Sequence, residues 1–364
     1  MRAGKGVLTR AQMDALDAMV ACDGNQSAAA RRLGKNREGM RYALKLAREK
    51  AGVTWETWKA EQQEEFRVSA APPQDVSIEE LLRRRRETNA VQAGIDQDSK
   101  LIPITFSSDA PLGILFFGDP HVDDPRTDWH ALEADIDLVR DTDGIYAANI
   151  GDTTNNWIGR LAGKYADQDV SKRQAFKLAE WMIGQLAPKL LLSIGGNHDV
   201  WSGAGDPLEW LHSRIPGRYV PHEARVELRF PTAEPIKMAL HHSFDGASIY
   251  NPTHAQTKAA KFHYHDYRLL ISGHKHVSGY ACWPHWSGLI HHVIQVASYK
   301  RTDEYAHKLG KMPQFMSPSV LAVIHPQADT EAGLIQVFHD RKAGVRYLDG
   351  LRAKAKSERK IAKR

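Results

Sequence analysis

Cysteine is almost missing from this chain: Cys22 and Cys282 are the only two in 364 residues. Two thiols so far apart give neither a disulfide framework nor a cysteine zinc cluster, and they predict a reducing, cytoplasmic setting. No apolar run is long enough to span a bilayer, so no membrane partner is expected. Asp14 and Asp17 interrupt the apolar residues near the start, which argues against a secretion signal. There is no G-x-x-x-x-G-K-S/T loop for nucleotide phosphates and no serine nucleophile elbow. No internal repeat is visible. Histidine, by contrast, is abundant: eighteen in all, eleven of them between His241 and His307. Such a stretch can be mere composition, but it is also where metal ligands are found. The sequence pI of about 9 mildly favours a polyanionic partner, although a solvated basic surface is common.

Residues 9 to 50 read as a compact helical unit. Thr9 can cap a helix carrying Met13, Leu16, Met19 and Val20 on one face. The stretch "QSAAARRLG" is a short second helix stopped by Gly34, and Asn36 can cap a longer third. Short helix, glycine turn, basic helix is the helix-turn-helix arrangement. Between Arg31 and Lys50 stand eight Lys/Arg against Glu38 and Glu49. The third helix would offer Arg37, Arg41, Tyr42 and Lys45 to a DNA groove. The blander reading is a three-helix protein-binding module with a solvated basic face. "NQSAAARRLG" resembles the first half of helix-turn-helix units in bacterial and phage DNA-binding proteins.

"SAAPPQD" (69–75) reads as a linker, because paired prolines end helices. Ser77 and Glu80 form a capping box for a helix bearing Arg83 to Arg86, and "QAGIDQDSK" reads as a second flexible piece. From residue 101, short apolar runs alternate with helical segments, as in an α/β domain. The expected organisation is a helix-turn-helix at 1–66, a linker with a basic helix at 67–100, an α/β domain at 101–350 and a basic tail at 351–364.

Five apolar runs each end in oxygen or imidazole ligands. "ILFFGDPH" ends in Asp119 and His121, "YAANIGD" in Asp152, and "LLSIGGNHD" in Asn197, His198 and Asp199. "KMALHH" ends in His241 and His242, and "LLISGHKH" in His274 and His276. Any one of these could be a polar turn; five in order are hard to explain by packing. Open α/β sheets bind ligands at the carboxyl ends of strands. Mixed Asp, Asn and His donors suit Mn, Fe or Zn rather than calcium. Two ions about 3.5–4 Å apart form the usual clamp for phosphate-ester hydrolysis.

This series of motifs, over roughly residues 112 to 300, resembles the calcineurin-like metallophosphoesterase superfamily. The resemblance implies an αββα sandwich of two sheets with two divalent metals at one edge, manganese first, with Fe, Zn or Mg as alternatives. Asp119, His121 and His276 would hold the first metal. Asn197, His274 and a strand-end histidine would hold the second, and Asp152 would bridge them. The strand-end ligand is taken as His242, with His241 the alternative. His198 would protonate or steer the leaving oxygen, with Asp199 positioning it, as a metal-bridging hydroxide attacks phosphorus. "HYH" (263–265) has ligand spacing but follows no strand and glycine, so it is read as surface or substrate-facing. His254 is read as a satisfied loop histidine, and Trp157, Arg160 and Lys164 as candidates for substrate contact.

The helix-turn-helix and the basic segments lean toward nucleic acid, and the resemblance adds Asp199, which follows His198 as in the family's DNA-repair nuclease branch. The expected activity is that of a DNA phosphodiesterase, endo- or exonuclease, of phage or prophage type in a bacterial cytoplasm. A homodimer is compatible with this reading. The alternatives are a small-molecule or cyclic-nucleotide phosphodiesterase, and a DNA-binding regulator with an inactive metal site.

Overall fold

The computed structural model describes residues 8–63, 76–98, 101–200, 207–215, 217–301 and 318–362. The chain divides into two compact units, residues 1–87 and 88–364.

In the first unit, α1 (Arg10–Ala21), α2 (Gln26–Arg32) and α3 (Arg37–Ala51) enclose Ala15, Met19, Ala29, Ala30, Met40 and Ala43. α4 (Trp55–Gln63) closes a second small core, in which Trp58 packs with Leu16, Ala47 and Val53. The Trp58 indole donates to Asp17 Oδ1 at 2.7 Å. Asn36 caps α3 as expected, accepting from Gly39 N, and Asn25 caps α2, accepting from Ala28 N. Gly52 ends α3 with a φ of 65°, a left-handed position that glycine takes without steric cost.

One expectation on organisation needs correction. Residues 92–98 are not a flexible piece: α5 runs unbroken over Ile78–Asp98, and the division between units falls inside it. Arg83 and Arg84 bridge to Glu80, and Arg83 to Glu87, at helical spacing, pairs that support an exposed helix. The basic stretch at 351–362 forms the end of a helix, Arg341–Ala362. The proline linker at 69–75 lies outside the described residues.

The second unit is a four-layer α/β/β/α sandwich. Its strands and principal helices, in chain order, begin with β1 (Ile102–Thr105), β2 (Leu112–Phe117), α6 (Trp129–Asp141), β3 (Ile145–Asn149), α7 (Lys172–Leu186) and β4 (Leu190–Gly195). There follow α8 (Pro207–His212), β5 (Arg218–Pro221), β6 (Glu223–Arg229), β7 (Ile236–His241), α9 (His254–Phe262) and β8 (Leu269–Ser272). The last are β9 (Gly279–Pro284), β10 (Ile290–Gln295), β11 (Ser319–Ile324), β12 (Ile335–Phe338) and α10 (Arg341–Ala362). One mixed sheet has the order β12-β11-β2-β3-β4-β5 and the other β1-β6-β7-β8-β10-β9.

Alternation along each strand sorts its residues between layers. Ile114 and Phe116 of β2 meet Met238 and Leu240 of β7 and Ile271 of β8 between the sheets. Leu115 and Phe117 point the other way, onto Leu132 and Ile136 of α6, Met182 of α7 and Leu348 of α10. Outside the second sheet, Ala239, Leu270 and Val293 pack on Ala255 and Ala259 of α9. A strand buried on both faces reads as a continuous apolar run, which is why β2 does so.

Candidate dinuclear metal centre

β2, β3 and β4 of one sheet and β7 and β8 of the other deliver the candidate ligands to one edge, on the seam between the sheets. Among the described residues, Asp119, His121 and His276 form one group, and Asp152, His242 and His274 another. The ligand atoms within each group lie within 4.8 Å of one another. His121 Nε2 and His276 Nε2 are 3.3 Å apart, and Asp119 Oδ2 is 3.2 Å from the latter. In the second group, His242 Nε2 lies 3.1 Å from both Asp152 Oδ2 and Asn197 Oδ1.

Three features fit divalent ions. Asp119 Oδ1 and His121 Nδ1 are buried with no hydrogen-bond partner in the protein, a costly state unless something else satisfies them. Asp119, His121, Asp152, His274 and His276 all have positive φ, between 25° and 69°. Residues other than glycine rarely adopt such angles, and strain of this kind gathers at functional sites. Finally, a Cβ on Gly196 would sit 2.1 Å from Asp152 Oδ1, and one on Gly273 2.3 Å from Asp119 Oδ1. Only glycine lets the backbone approach the two carboxylates this closely.

Ring orientation is fixed from behind. His242 Nδ1 is 2.9 Å from the carbonyl of Ile150; a carbonyl only accepts, so Nδ1 carries the hydrogen and Nε2 faces the cluster, as in ligating histidines generally. Burial, then the charges of His276 and His198, push the His121 imidazole well below its ordinary value. Burial, then the charge of His242, lowers the His274 imidazole below its ordinary value. Burial also opposes charge on Asp152 and His242, but their mutual attraction wins. Asp152 is held well below the usual carboxylate range, and His242 is pushed up to about 10.

This gives a sign to the pH dependence. Without metal, His242 keeps its proton up to about pH 10, and ligation requires the neutral ring. Metal binding near neutrality should therefore release about one proton from this residue, with affinity rising roughly tenfold per pH unit. Calorimetric Mn²⁺ titration in buffers of different ionisation enthalpy measures the number; no proton released would contradict the arrangement.

His198 stands beside the groups, its Nε2 3.9 Å from Asp152 Oδ2 and its ring edge-on to Trp157 at 5.1 Å. Its Nδ1 bonds to the carbonyl of Asn155. Sequence reasoning gave Asp199 the task of positioning His198. In the structure the Asp199 carboxylate accepts from Thr153 N and Gly196 N, tying together the loops after β3 and β4. Asn155 is itself held: its N–H donates to Asp123 Oδ1 at 2.7 Å and its amide to Asp124 Oδ2 at 2.9 Å. Asp124 also pairs with the buried Lys300 at 2.8 Å. Asp123, Asp124, Asn155 and Lys300 were missed. The signal was the pair of acids in "PHVDD", directly after a ligand and too polar for a core without partners.

His241 turns away from the cluster, 2.7 Å from Glu223 and stacked on Phe244. It lines a cavity of about 470 Å³ with Arg225, Tyr264 and Tyr267. His254, His263 and His265 are exposed and belong to neither group. Lys164 lies 5.0 Å from the Trp157 ring; the Arg160 side chain is outside the described residues. In the first unit, Arg37, Arg41, Tyr42 and Lys45 are exposed on α3, opposite the buried Met40, Ala43 and Ala47.

Comparison with known proteins adds the following. Residues 16–45 match the family model described as bacterial regulatory protein, Fis family. A search of curated proteins finds no match. Among solved structures, the chain is similar to Yfce, a phosphoesterase from E. coli, at 13% identity over 63% of this chain and 99% of that one, with a TM-score of 0.33. It is also similar to the calcineurin-like phosphoesterase YfkN from Bacillus subtilis, at 13% identity over 63% and 88%, with a TM-score of 0.33. A metallophosphoesterase from Sphaerobacter thermophilus aligns at 17% identity over 67% and 98%, with a TM-score of 0.32. These scores are low, and the strand order given above carries the fold by itself. No described helix is long and apolar enough to cross a membrane.

Proposed function

We propose that the chain is a calcineurin-like, dinuclear-metal phosphoesterase acting on DNA as a phosphodiesterase. The observation that carries the chemistry is the pair of three-ligand groups on strained backbone, with His242 beside both Asp152 and Asn197, and Asp152 beside His198. Asp119, His121 and His276 would hold one divalent ion, manganese by preference. Asn197, His242 and His274 would hold the other, and Asp152 would serve both. The ions supply Lewis-acid charge at the phosphate and an activated water. The chain's own contribution is geometric. The two sheets fix the ligands, Asn155 turns His198 so that Nε2 faces the cluster, and His198 donates a proton to the departing oxygen.

The basic face of α3 and the Fis-family match support DNA as the substrate. Arg37, Arg41 and Lys45 recur every fourth residue, with Tyr42 beside them, a stripe suited to phosphate and base-edge contact. Arg41→Ala combined with Lys45→Ala should weaken DNA binding and reduce its log–log salt slope by about two. Hydrolysis of bis-p-nitrophenyl phosphate should stay unchanged; an equal loss in both assays would make α3 structural.

The deciding experiment is Mn²⁺-dependent cleavage of end-labelled single- and double-stranded DNA, run beside bis-p-nitrophenyl phosphate. Cleavage of DNA supports a nuclease, and the product ladder gives polarity. Hydrolysis of the small diester alone would move the substrate to small or cyclic nucleotides. Metal loading without turnover on any phosphoester would favour a DNA-binding regulator, a reading that His198 argues against.

A further inference from the structure

The histidines at the far end of the second sheet are used by nothing described so far. β10 runs parallel to β8, so His291 near its start lies away from the catalytic edge, where Val296 N bonds to Ser272 O. Five residues at about 3.3 Å each put roughly 17 Å between them. His291 is fully buried, its Nδ1 is 2.7 Å from the carbonyl of Tyr267, and its Nε2 has no hydrogen-bond partner in the protein. Nδ1 therefore carries the hydrogen, and a bare lone pair sits on a buried Nε2. His242 has the same back-bond, to Ile150.

Two more imidazoles stand near it, although their ligand atoms are not all within 4.8 Å of one another, as those of the two groups at the catalytic edge are. His285, in the β9–β10 turn, has its ring centroid 5.0 Å from that of His291 at an interplanar angle of 69°. The candidate ligand pair His242 and His274 shows 5.1 Å and 71°. His285 Nδ1 lies 2.8 Å from Ser287 Oγ and accepts the Ser287 N–H at 3.4 Å; binding an ion through Nε2 would move the ring hydrogen to Nδ1, with Ser287 Oγ as its acceptor. His265, from the "HYH" segment, stacks on His285 at 6.0 Å. It has to close by about one ångström, which an exposed side chain does by turning about χ1.

We propose that His265, His285 and His291 form a further transition-metal site, separate from the catalytic edge, that ties the β9–β10 turn to the segment before β8. An all-imidazole donor set selects Zn²⁺, Ni²⁺ or Cu²⁺ over Mg²⁺ and Ca²⁺. Three protein ligands leave a fourth position to solvent.

The test is zinc content after loading and desalting of the full chain. Wild type should hold one equivalent more than His285→Ala, with bis-p-nitrophenyl phosphate hydrolysis the same in both. Asp152→Ala should keep that equivalent, so failure of the catalytic centre and failure of this site read out separately. His285→Cys should retain the ion and, with Co²⁺, add a thiolate charge-transfer band absent from wild type, which an aromatic packing role would not produce. Equal zinc in wild type and His285→Ala would overturn the site. So would an equal loss on replacing the exposed His130, which would mark non-specific surface chelation.

Discussion

Asp152→Ala is expected to abolish phosphodiester hydrolysis and to strip the catalytic edge of metal. The carboxylate is almost fully buried, and its Oδ2 lies 3.1 Å from His242 Nε2 and 3.9 Å from His198 Nε2. Its Oδ1 accepts the N–H of His198 at 2.9 Å. Removing it would therefore take away the ligand proposed to serve both ions, the counter-charge that holds His242 protonated in the free protein, and an anchor for the β4 loop. A metal clamp contributes several kcal/mol to phosphoryl chemistry, so the rate should fall by about 10³-fold or more. Metal content, kcat and a thermal melt of the metal-free protein should be measured together. Retention of both ions with near-normal turnover would remove Asp152 from the centre, whereas loss of metal and activity in a protein that still melts cooperatively would confirm its role.

His198→Ala should behave differently. Its ring is fixed by the Asn155 carbonyl and by Trp157, and it belongs to neither ligand group, so metal should stay. The chemical step on DNA should slow by roughly 10²–10⁴, the range for a positioned general acid. DNA leaves as a poor alkoxide that needs a proton. p-Nitrophenolate leaves well without one, so the loss on bis-p-nitrophenyl phosphate should be much smaller. That contrast separates proton donation from simple positioning. Equal losses on both substrates, or a drop in metal content, would show that His198 acts in another way.

The candidate centre was legible because buried strands announce themselves as apolar runs, and each here ends in a ligand. The choice between His241 and His242 was also legible, though by a route left unused. Ile236, Met238 and Leu240 are the bulky inward residues of β7. Period two carries that face to residue 242 and turns 241 outward with Ala239. β1, β5 and β9 were not foreseen. β1 and β5 are four-residue strands and β9 alternates exposed and half-buried residues; all three lie at sheet edges, where little apolar pattern is required. Nor does composition reveal left-handed backbone: nothing in the letters of Asp119 or His274 states that φ is positive there. The continuity of α5 past Gly94 was hidden for another reason, because a glycine only weakens a helix that neighbouring residues sustain.

Each three-ligand group draws from both sheets: Asp119 and His121 with His276, and Asp152 with His242 and His274. An ion in either group is therefore a rivet through the sandwich, joining stretches of chain 90 or more residues apart. An unfolded chain cannot present such a set, so each ion adds its binding free energy to folding, about 2.7 kcal/mol at a hundredfold excess over Kd. In a metal-starved cell the first consequence would be a shorter-lived protein rather than a slower enzyme. Its abundance would then report the supply of the ion before its catalysis did.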